Sequence, residues 1–121
     1  MPLAATDTVD LIFRAFSDRT RLRILNLLSS RNEICVCDLM RVLELPQTKV
    51  SRHLAYLRRA GLVAGRKELQ WMHYRLLPAK GKFHAKILEC LSCCLSQVPE
   101  LTSDHQRLGS CCEVAERACC D

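Results

Sequence analysis

The chain has 121 residues, of which 49% are hydrophobic and 26% are charged, with a formal net charge of +5. This length predicts a single domain, and the composition excludes a disordered chain. No apolar run approaches the roughly 20 residues that a membrane-spanning helix needs. The opening residues, MPLAATDTVD, lack the basic and apolar regions of a secretory signal. We therefore expect a cytoplasmic protein with no membrane partner.

The positive charge is concentrated in the middle of the chain. Residues 1–40 are neutral overall, residues 41–86 carry a net charge of +9, and residues 87–121 carry −4. A basic stretch of this kind is typical of a surface that binds phosphates, although a solvated basic face is also common. Nucleic acid is therefore the favoured partner.

Two helices are predicted before residue 30. Thr6 or Asp7 caps the first, which ends near Phe16, and Ser17 or Asp18 caps the second, over residues 18–29. The second helix begins with three basic residues that are either solvated or in contact with a DNA backbone: Arg19, Arg21 and Arg23.

Residues 39–62 are predicted to form a short amphipathic helix, a break at Pro46, and a second amphipathic helix that ends at Gly61. In the second helix Val50, Leu54 and Leu57 share one face, because they are spaced by four and three residues. The opposite face is polar and basic, which suits the major groove of DNA. This pattern predicts a helix-turn-helix, and the alternative is a helical hairpin with a solvated face. The predicted DNA contacts on this face are Gln47, Thr48, Lys49, Ser51, Arg52, His53 and Tyr56.

A β-hairpin is predicted next, with strands over residues 62–65 and 71–76 and a basic turn over residues 65–70. A hairpin directly after a recognition helix is a wing. Arg66 and Lys67, which we expect at its tip, would contact DNA phosphates.

A final helix is predicted over residues 79–97, ended by Pro99. Its long apolar stripe indicates a dimer interface. We thus expect a mainly α fold with a small β-hairpin (α+β), a winged helix-turn-helix that dimerises through its terminal helices. Residues 1–98 form the DNA-binding and dimerisation domain, and residues 99–121 a mobile, cysteine-rich tail.

Nine cysteines are unusual in a chain of this size. Their odd number, their adjacent pairs and the expected reducing compartment favour metal ligands or redox groups over a disulfide framework. None is placed with His and acid partners as a catalytic nucleophile, so we predict no enzyme. The candidate clusters are Cys35 with Cys37, then Cys90 with Cys93 and Cys94, then Cys111, Cys112, Cys119 and Cys120.

Several segments of the chain resemble the ArsR/SmtB family of metal-responsive winged-helix repressors, and within it the arsenic-responsive branch. They are SDRTRLRIL (residues 17–25), EICVCDL (33–39), PQ (46–47), VSRHL (50–54), LRRAGLV (57–63) and the wing strand WMHY (71–74). The resemblance implies a homodimer that binds double-stranded operator DNA and leaves it on binding arsenite or antimonite, with no organic cofactor. Met40 stands where some relatives have a third cysteine, which puts a three-thiolate site in this segment in question.

The first candidate for the metalloid site is the pair Cys35 and Cys37, because trivalent arsenic and antimony are soft and prefer thiolates. In a regular helix these two side chains point to different sides. Ligation would then distort that turn and shift the recognition helix. The alternative is a pair of half-buried core cysteines.

The second candidate is Cys90, Cys93 and Cys94, whose spacing places them on one helical face. The third is the four cysteines from Cys111 onward. Two alternatives to metalloid sensing stay open: a thiol redox switch in the same DNA-binding protein, and a thiol-rich metal buffer.

Overall fold

Six helices and three short strands make up the described part of the chain. The structure is a computed structural model that describes the backbone of residues 5–93, 95 and 97–118, and the side chains of residues 9–91, 93, 95 and 97–109. The elements in chain order are α1 (Ala5–Phe16), α2 (Arg19–Ser29), β1 (Ile34–Cys35), α3 (Val36–Leu43), α4 (Gln47–Arg59), β2 (Val63–Glu68), β3 (Trp71–Leu76), α5 (Lys82–Cys93) and α6 (Pro99–Ala118).

The helix-turn-helix is formed by α3 and α4, as the sequence predicts. Helix α3 ends at Leu43, and its C-cap residue Glu44 has a left-handed φ of 57°. Pro46 precedes α4 in an extended conformation. The predicted inner face of α4, formed by Val50, Leu54 and Leu57, is fully buried. Gly61 turns the chain out of α4 with a φ of 78°, a conformation that costs glycine little.

The sheet has the strand order β1-β3-β2, and both pairings are antiparallel. Sequence analysis found the two wing strands but not β1, whose Cys35 pairs with His73. Strand β2 extends to Glu68, so Arg66 and Lys67 lie within the strand rather than at the tip. The predicted turn over residues 65–70 is too long, because the whole of β2 pairs with β3 and only two residues, Leu69 and Gln70, lie between the strands.

The C-terminal region differs most from the prediction. The final helix is shorter than expected, and Pro99 begins a helix instead of ending one, since proline fits the first position of a helix. Leu101 and Leu108 are buried, at 2% and 1% exposure, so the predicted boundary after residue 98 and the predicted mobile tail are wrong for this part of α6.

Helix α6 packs on α2 and α3. Arg23 and Asp104 form a two-pronged ion pair, with Nε–Oδ2 and Nη2–Oδ1 distances of 2.8 and 2.9 Å. The amide of Asn26 donates to the carbonyl oxygen of Leu101 at 3.4 Å. Arg23 is therefore a structural residue, not a DNA-backbone contact.

Within the described part of the chain, no helix has both the length and the hydrophobicity to cross a membrane.

Candidate nucleic-acid interface and thiol pair

The outer face of α4 carries the predicted DNA contacts. Gln47, Thr48, Lys49 and Arg52 are exposed, and Ser51 is partly exposed. They belong to a helix whose opposite face is anchored in the core, so the backbone that presents them is rigid. Amides, hydroxyls and a guanidinium group on such a face can reach base edges and phosphates.

His53 lies on the side of α4 that faces the start of α2. Its side chain is 23% exposed, and its Nδ1 lies 3.8 Å from Oδ2 of Asp18. Burial lowers the pKa of His53, and the Asp18 carboxylate opposes that effect. The ring is therefore largely neutral near pH 7, where it can both donate and accept a hydrogen bond.

Tyr56 is covered by the guanidinium group of Arg21, whose Cζ lies 4.0 Å from the ring centroid. The same group donates to the carbonyl oxygens of Ala15, at 3.1 Å, and Arg14, at 2.8 Å. Arg21 thus joins the end of α1 to α4, a positioning role that sequence reasoning left open between solvent and DNA. This role of Arg21 could not be predicted from the sequence, because it depends on which helix ends lie together in the fold.

The guanidinium group of Arg66 is bound to two carboxylates. It lies 2.6 and 2.7 Å from the Glu33 oxygens and 3.0 Å from Glu68. Hydrogen bonding from Arg66 lowers the pKa of Glu33. His73 lies within 4.0 Å of both acids. A DNA phosphate would compete with Glu33 and Glu68 for Arg66, whereas Lys67 is exposed on the same strand.

Cys35 and Cys37 come together at the junction of β1 and α3. Cys35 is 5% exposed and packs against Cys37 and Trp71. It precedes α3 in an extended conformation, with φ −69° and ψ 143°. The prediction that both cysteines lie in one regular helix is therefore wrong, and so is the argument that their side chains point to different sides of it. Because the chain changes from strand to helix between them, the two side chains meet.

Next to this pair is an open cavity of about 440 Å³, lined by Cys37, Met40, Trp71 and the first residue of the recognition helix, Gln47, among others. Of the two cysteines, Cys37 lines this space, and a soft sulfur there fits a thiophilic metalloid. Among the residues that the structure describes, no group of three or more His, Cys, Asp or Glu side chains has a metal-binding arrangement.

The other cysteines are placed as follows. Cys37 is disulfide-bonded. Cys90 is half-buried and Cys93 is exposed, both on α5. The remaining cysteines named as candidates lie outside the described side chains: Cys94, Cys111, Cys112, Cys119 and Cys120.

Residues 18–64, which contain the helix-turn-helix, match the family model described as bacterial regulatory protein, arsR family. The arsenical resistance operon repressor of Escherichia coli is 49% identical over 78 residues, which cover 64% of this chain and 67% of that protein. The chain belongs to the bacterial ArsR family. The arsenic resistance transcriptional regulator ArsR1 of Pseudomonas putida is 46% identical over 71 residues, covering 59% of this chain and 56% of the relative.

Solved structures of ArsR-type regulators have the same fold. HlyU from Vibrio cholerae superposes with a TM-score of 0.62 at 39% identity, covering 73% of this chain and 95% of that one. The AntR antimony-specific transcriptional repressor gives a TM-score of 0.61 at 25% identity, covering 79% and 83%. These matches confirm the predicted winged helix-turn-helix, and the ArsR-family member is a transcriptional regulator, not an enzyme.

Proposed function

We propose that this ArsR-family protein is an arsenite- or antimonite-responsive repressor that binds operator DNA as a metalloid-free homodimer. It releases the DNA when Cys35 and Cys37 coordinate the metalloid. The contact between these two cysteines, beside the helix-turn-helix, is the observation that carries the proposal. The names of the relatives in Escherichia coli and Pseudomonas putida support the choice of signal.

The position of the thiol pair suggests how ligation reaches the DNA. Cys35 is paired with His73 of the wing strand β3, and Cys37 is in the helix directly before α4. Once a dithiol has reduced the disulfide at Cys37, each As–S bond forms as a thiol proton leaves with a hydroxide of arsenous acid, so two bonds release two waters. The cavity is lined by Cys37, whereas Cys35 is buried, so an arsenic atom that bonds both sulfurs needs additional volume on the buried side of the pair. The wing or α3 must therefore move.

A homodimer is part of the proposal, and the exposed aromatic surface of α1 and α5 supports it. Phe13 is 57% exposed, although its ring lies 5.0 Å from that of Phe83. An aromatic contact between two helices in which Phe13 is exposed and Phe83 is partly exposed is typical of an interface core. Sedimentation of the reduced protein is expected to give twice the mass of one chain, and a monomer at micromolar concentration would contradict this part.

The test is a release titration. The reduced full-length chain is bound to a labelled duplex selected from a random pool, and arsenite, antimonite, zinc and cadmium are added separately. We expect release by the two metalloids. A wild-type complex that survives saturating arsenite and antimonite would overturn the proposed function.

Matched cysteine variants locate the sensor. Cys35→Ser combined with Cys37→Ser is expected to keep DNA affinity and to lose release. Cys90→Ser combined with Cys93→Ser is expected to behave like the wild type. If arsenite still releases DNA fully from the first double variant, the later cysteines form the sensor.

A second candidate function is a thiol redox switch, which the disulfide at Cys37 favours. A peroxide would oxidise Cys37 and a second thiol to a disulfide, and the two electrons and two protons would convert hydrogen peroxide into two waters. Release of DNA by peroxide without metalloid, reversed by a dithiol and abolished by Cys37→Ser, would support this candidate. If the fully oxidised protein still binds DNA, the redox switch is excluded.

A further inference from the structure

The corner between α1 and α2 contacts the recognition helix α4 at two positions. The guanidinium group of Arg21 covers the ring of Tyr56, with its Cζ 4.0 Å from the ring centroid. Asp18 accepts a hydrogen bond from the backbone N–H of Arg21 at 3.0 Å, and its Oδ2 also lies 3.8 Å from Nδ1 of His53. His53 and Tyr56 are three residues apart and therefore share one side of α4. The α1–α2 corner thus holds that side of α4 over a full turn.

The same guanidinium group is bonded to the end of α1. It donates to the carbonyl oxygens of Ala15, at 3.1 Å, and Arg14, at 2.8 Å, both in the last turn of that helix. A cation that donates there stabilises the helix end, because the last carbonyls of a helix lack intrahelical partners. Helix α1 packs on α2 and α5, whereas α4 packs on α2, α3 and β2. Arg21 therefore bridges two helices whose shared neighbour is α2.

Helix α1 also carries the exposed aromatic surface. Phe13, which is 57% exposed, directly precedes Arg14 and contacts Phe83 of α5. This surface is the proposed homodimer interface, so the inference below rests on the proposed function. A two-fold dimer binds two half-sites about one turn of DNA apart, and it must hold its two recognition helices at that separation. The contacts of Arg21 lie between the interface and the recognition helix.

We propose that Arg21 is a positioning residue that fixes α4 relative to the dimer interface and thereby sets the half-site spacing that the protein accepts. A planar guanidinium group suits this role, because its edge can donate to two carbonyl oxygens while its face covers an aromatic ring. In this role Arg21 does not contact DNA. Its loss would leave the exposed side chains of α4 on their own helix but would let that helix tilt, so that the dimer adapts to a wrong spacing.

The test measures how steeply DNA affinity depends on half-site spacing. The reduced full-length protein is titrated, by fluorescence anisotropy, with the selected duplex and with the same duplex carrying one base pair more or one fewer between its half-sites. For the wild type, we expect the altered duplexes to bind about tenfold or more weakly, because misaligned half-sites cannot be bound simultaneously. In Arg21→Gln we expect this ratio to fall to about threefold or less, since a loosened helix can reach both half-sites.

A second variant breaks the other end of the contact. Tyr56→Leu removes the aromatic ring and leaves the hydrogen bonds from Arg21 to α1 available, and it is expected to lower the ratio in the same way. Two matched variants are expected to keep the wild-type ratio. Tyr56→Phe retains the ring, and Arg19→Gln removes the same charge from an 82% exposed side chain in the same turn of α2.

A wild-type ratio in both Arg21→Gln and Tyr56→Leu would overturn the inference. Weaker binding by the same factor at every spacing would also overturn it, because Arg21 would then have only a structural role. A wild-type dimer that binds all three spacings equally would overturn the inference and leave the proposed function standing. A wild-type protein that sediments as a monomer, or that stays on DNA in saturating arsenite and antimonite, would instead refute the proposed function.

Discussion

Two arginine–carboxylate pairs in this protein have almost the same geometry but different surroundings. Arg23 and Asp104 meet through two contacts of 2.8 and 2.9 Å, and Arg66 and Glu33 through two of 2.7 and 2.6 Å. The side chains of the first pair are 16% and 1% exposed, and those of the second are 52% and 24% exposed. Burial, not contact distance, decides what each pair contributes, because water screens the second.

The buried pair holds α6 against α2, and its loss leaves a charge without a partner. The exposed pair lies between the loop before β1 and wing strand β2, which carries the predicted phosphate contacts Arg66 and Lys67. The first pair should therefore affect stability, and the second should affect DNA binding. The following predictions test that division.

The largest effect is expected for Asp104→Ala. Because the partly buried Arg23 guanidinium would lose both of its carboxylate contacts, the free energy of unfolding should fall by about 3 kcal/mol. Urea denaturation followed by circular dichroism measures this. Glu100→Ala is the control, since its contact with Arg19 is 3.7 Å long and both side chains are exposed at 42% and 82%, and a surface pair contributes about 0–1 kcal/mol. If both variants lose the same free energy of unfolding, burial does not determine what an ion pair contributes to stability.

A smaller effect is expected at the tip of the wing. Leu69 is 82% exposed and has a φ of 57°, a left-handed conformation that costs a side chain about 1–2 kcal/mol. Leu69→Gly relieves this cost and should raise the free energy of unfolding by about 1 kcal/mol. The gain is reduced by the greater conformational entropy of glycine in the unfolded chain. Gln70→Gly is the matched control, because Gln70 is not among the described residues with positive φ. Gln70→Gly should lower the free energy of unfolding. An increase in both variants would contradict the interpretation that the left-handed conformation of Leu69 is strained.

Substitution of Lys49, which is exposed on α4 and belongs to neither ion pair, tests the predicted DNA contacts. Lys49→Ala should weaken binding to all duplexes alike and reduce the slope of log affinity against log salt by about 1. Fluorescence anisotropy at several salt concentrations measures the slope, with unfolding by urea as the stability control. An unchanged slope would mean that Lys49 does not contact a phosphate.

The smallest effect is expected for Glu33→Gln, which frees the Arg66 guanidinium from one carboxylate. DNA affinity at low salt should rise slightly and the melting temperature should not change measurably. Since hydrogen bonding from Arg66 lowers the pKa of Glu33, the wild-type pair is intact above the ordinary glutamate pKa and is lost only as pH falls through the lowered value. Protonation of Glu33 should therefore contribute no pH dependence to the affinity difference between about pH 6 and 8. Weaker DNA binding by the variant would show that Glu33 positions Arg66 for DNA.

The helix-turn-helix could be predicted because its evidence is local. The spacing of Val50, Leu54 and Leu57 defines the buried face of α4, and the remaining positions define the exposed face. Strand β1 could not be found in this way, because two residues carry no periodicity and their partners in β3 lie about forty positions later.

Helix α6 was missed because its signals are ambiguous. Pro99 can end one helix or begin another, and Asp104 looks like a surface residue until its partner Arg23 is known. The spacing of Leu101 and Leu108, seven residues apart, is the signal that could have indicated a buried face. The same limit applies to the candidate site: the exposed residues of α4 follow from periodicity, whereas the partners of Arg21 and Arg66 depend on tertiary contacts.

The late position of α6 in the chain has a consequence for biosynthesis. Arg23 leaves the ribosome 81 residues before Asp104, so in the nascent chain its guanidinium group is hydrated and becomes partly buried only after Asp104 has emerged. Translation thus completes the helix-turn-helix and the wing before the segment that covers α2 and α3. A message that ended before codon 99 would yield a polypeptide with its helix-turn-helix made and with apolar surface of α2 and α3 open to proteolysis.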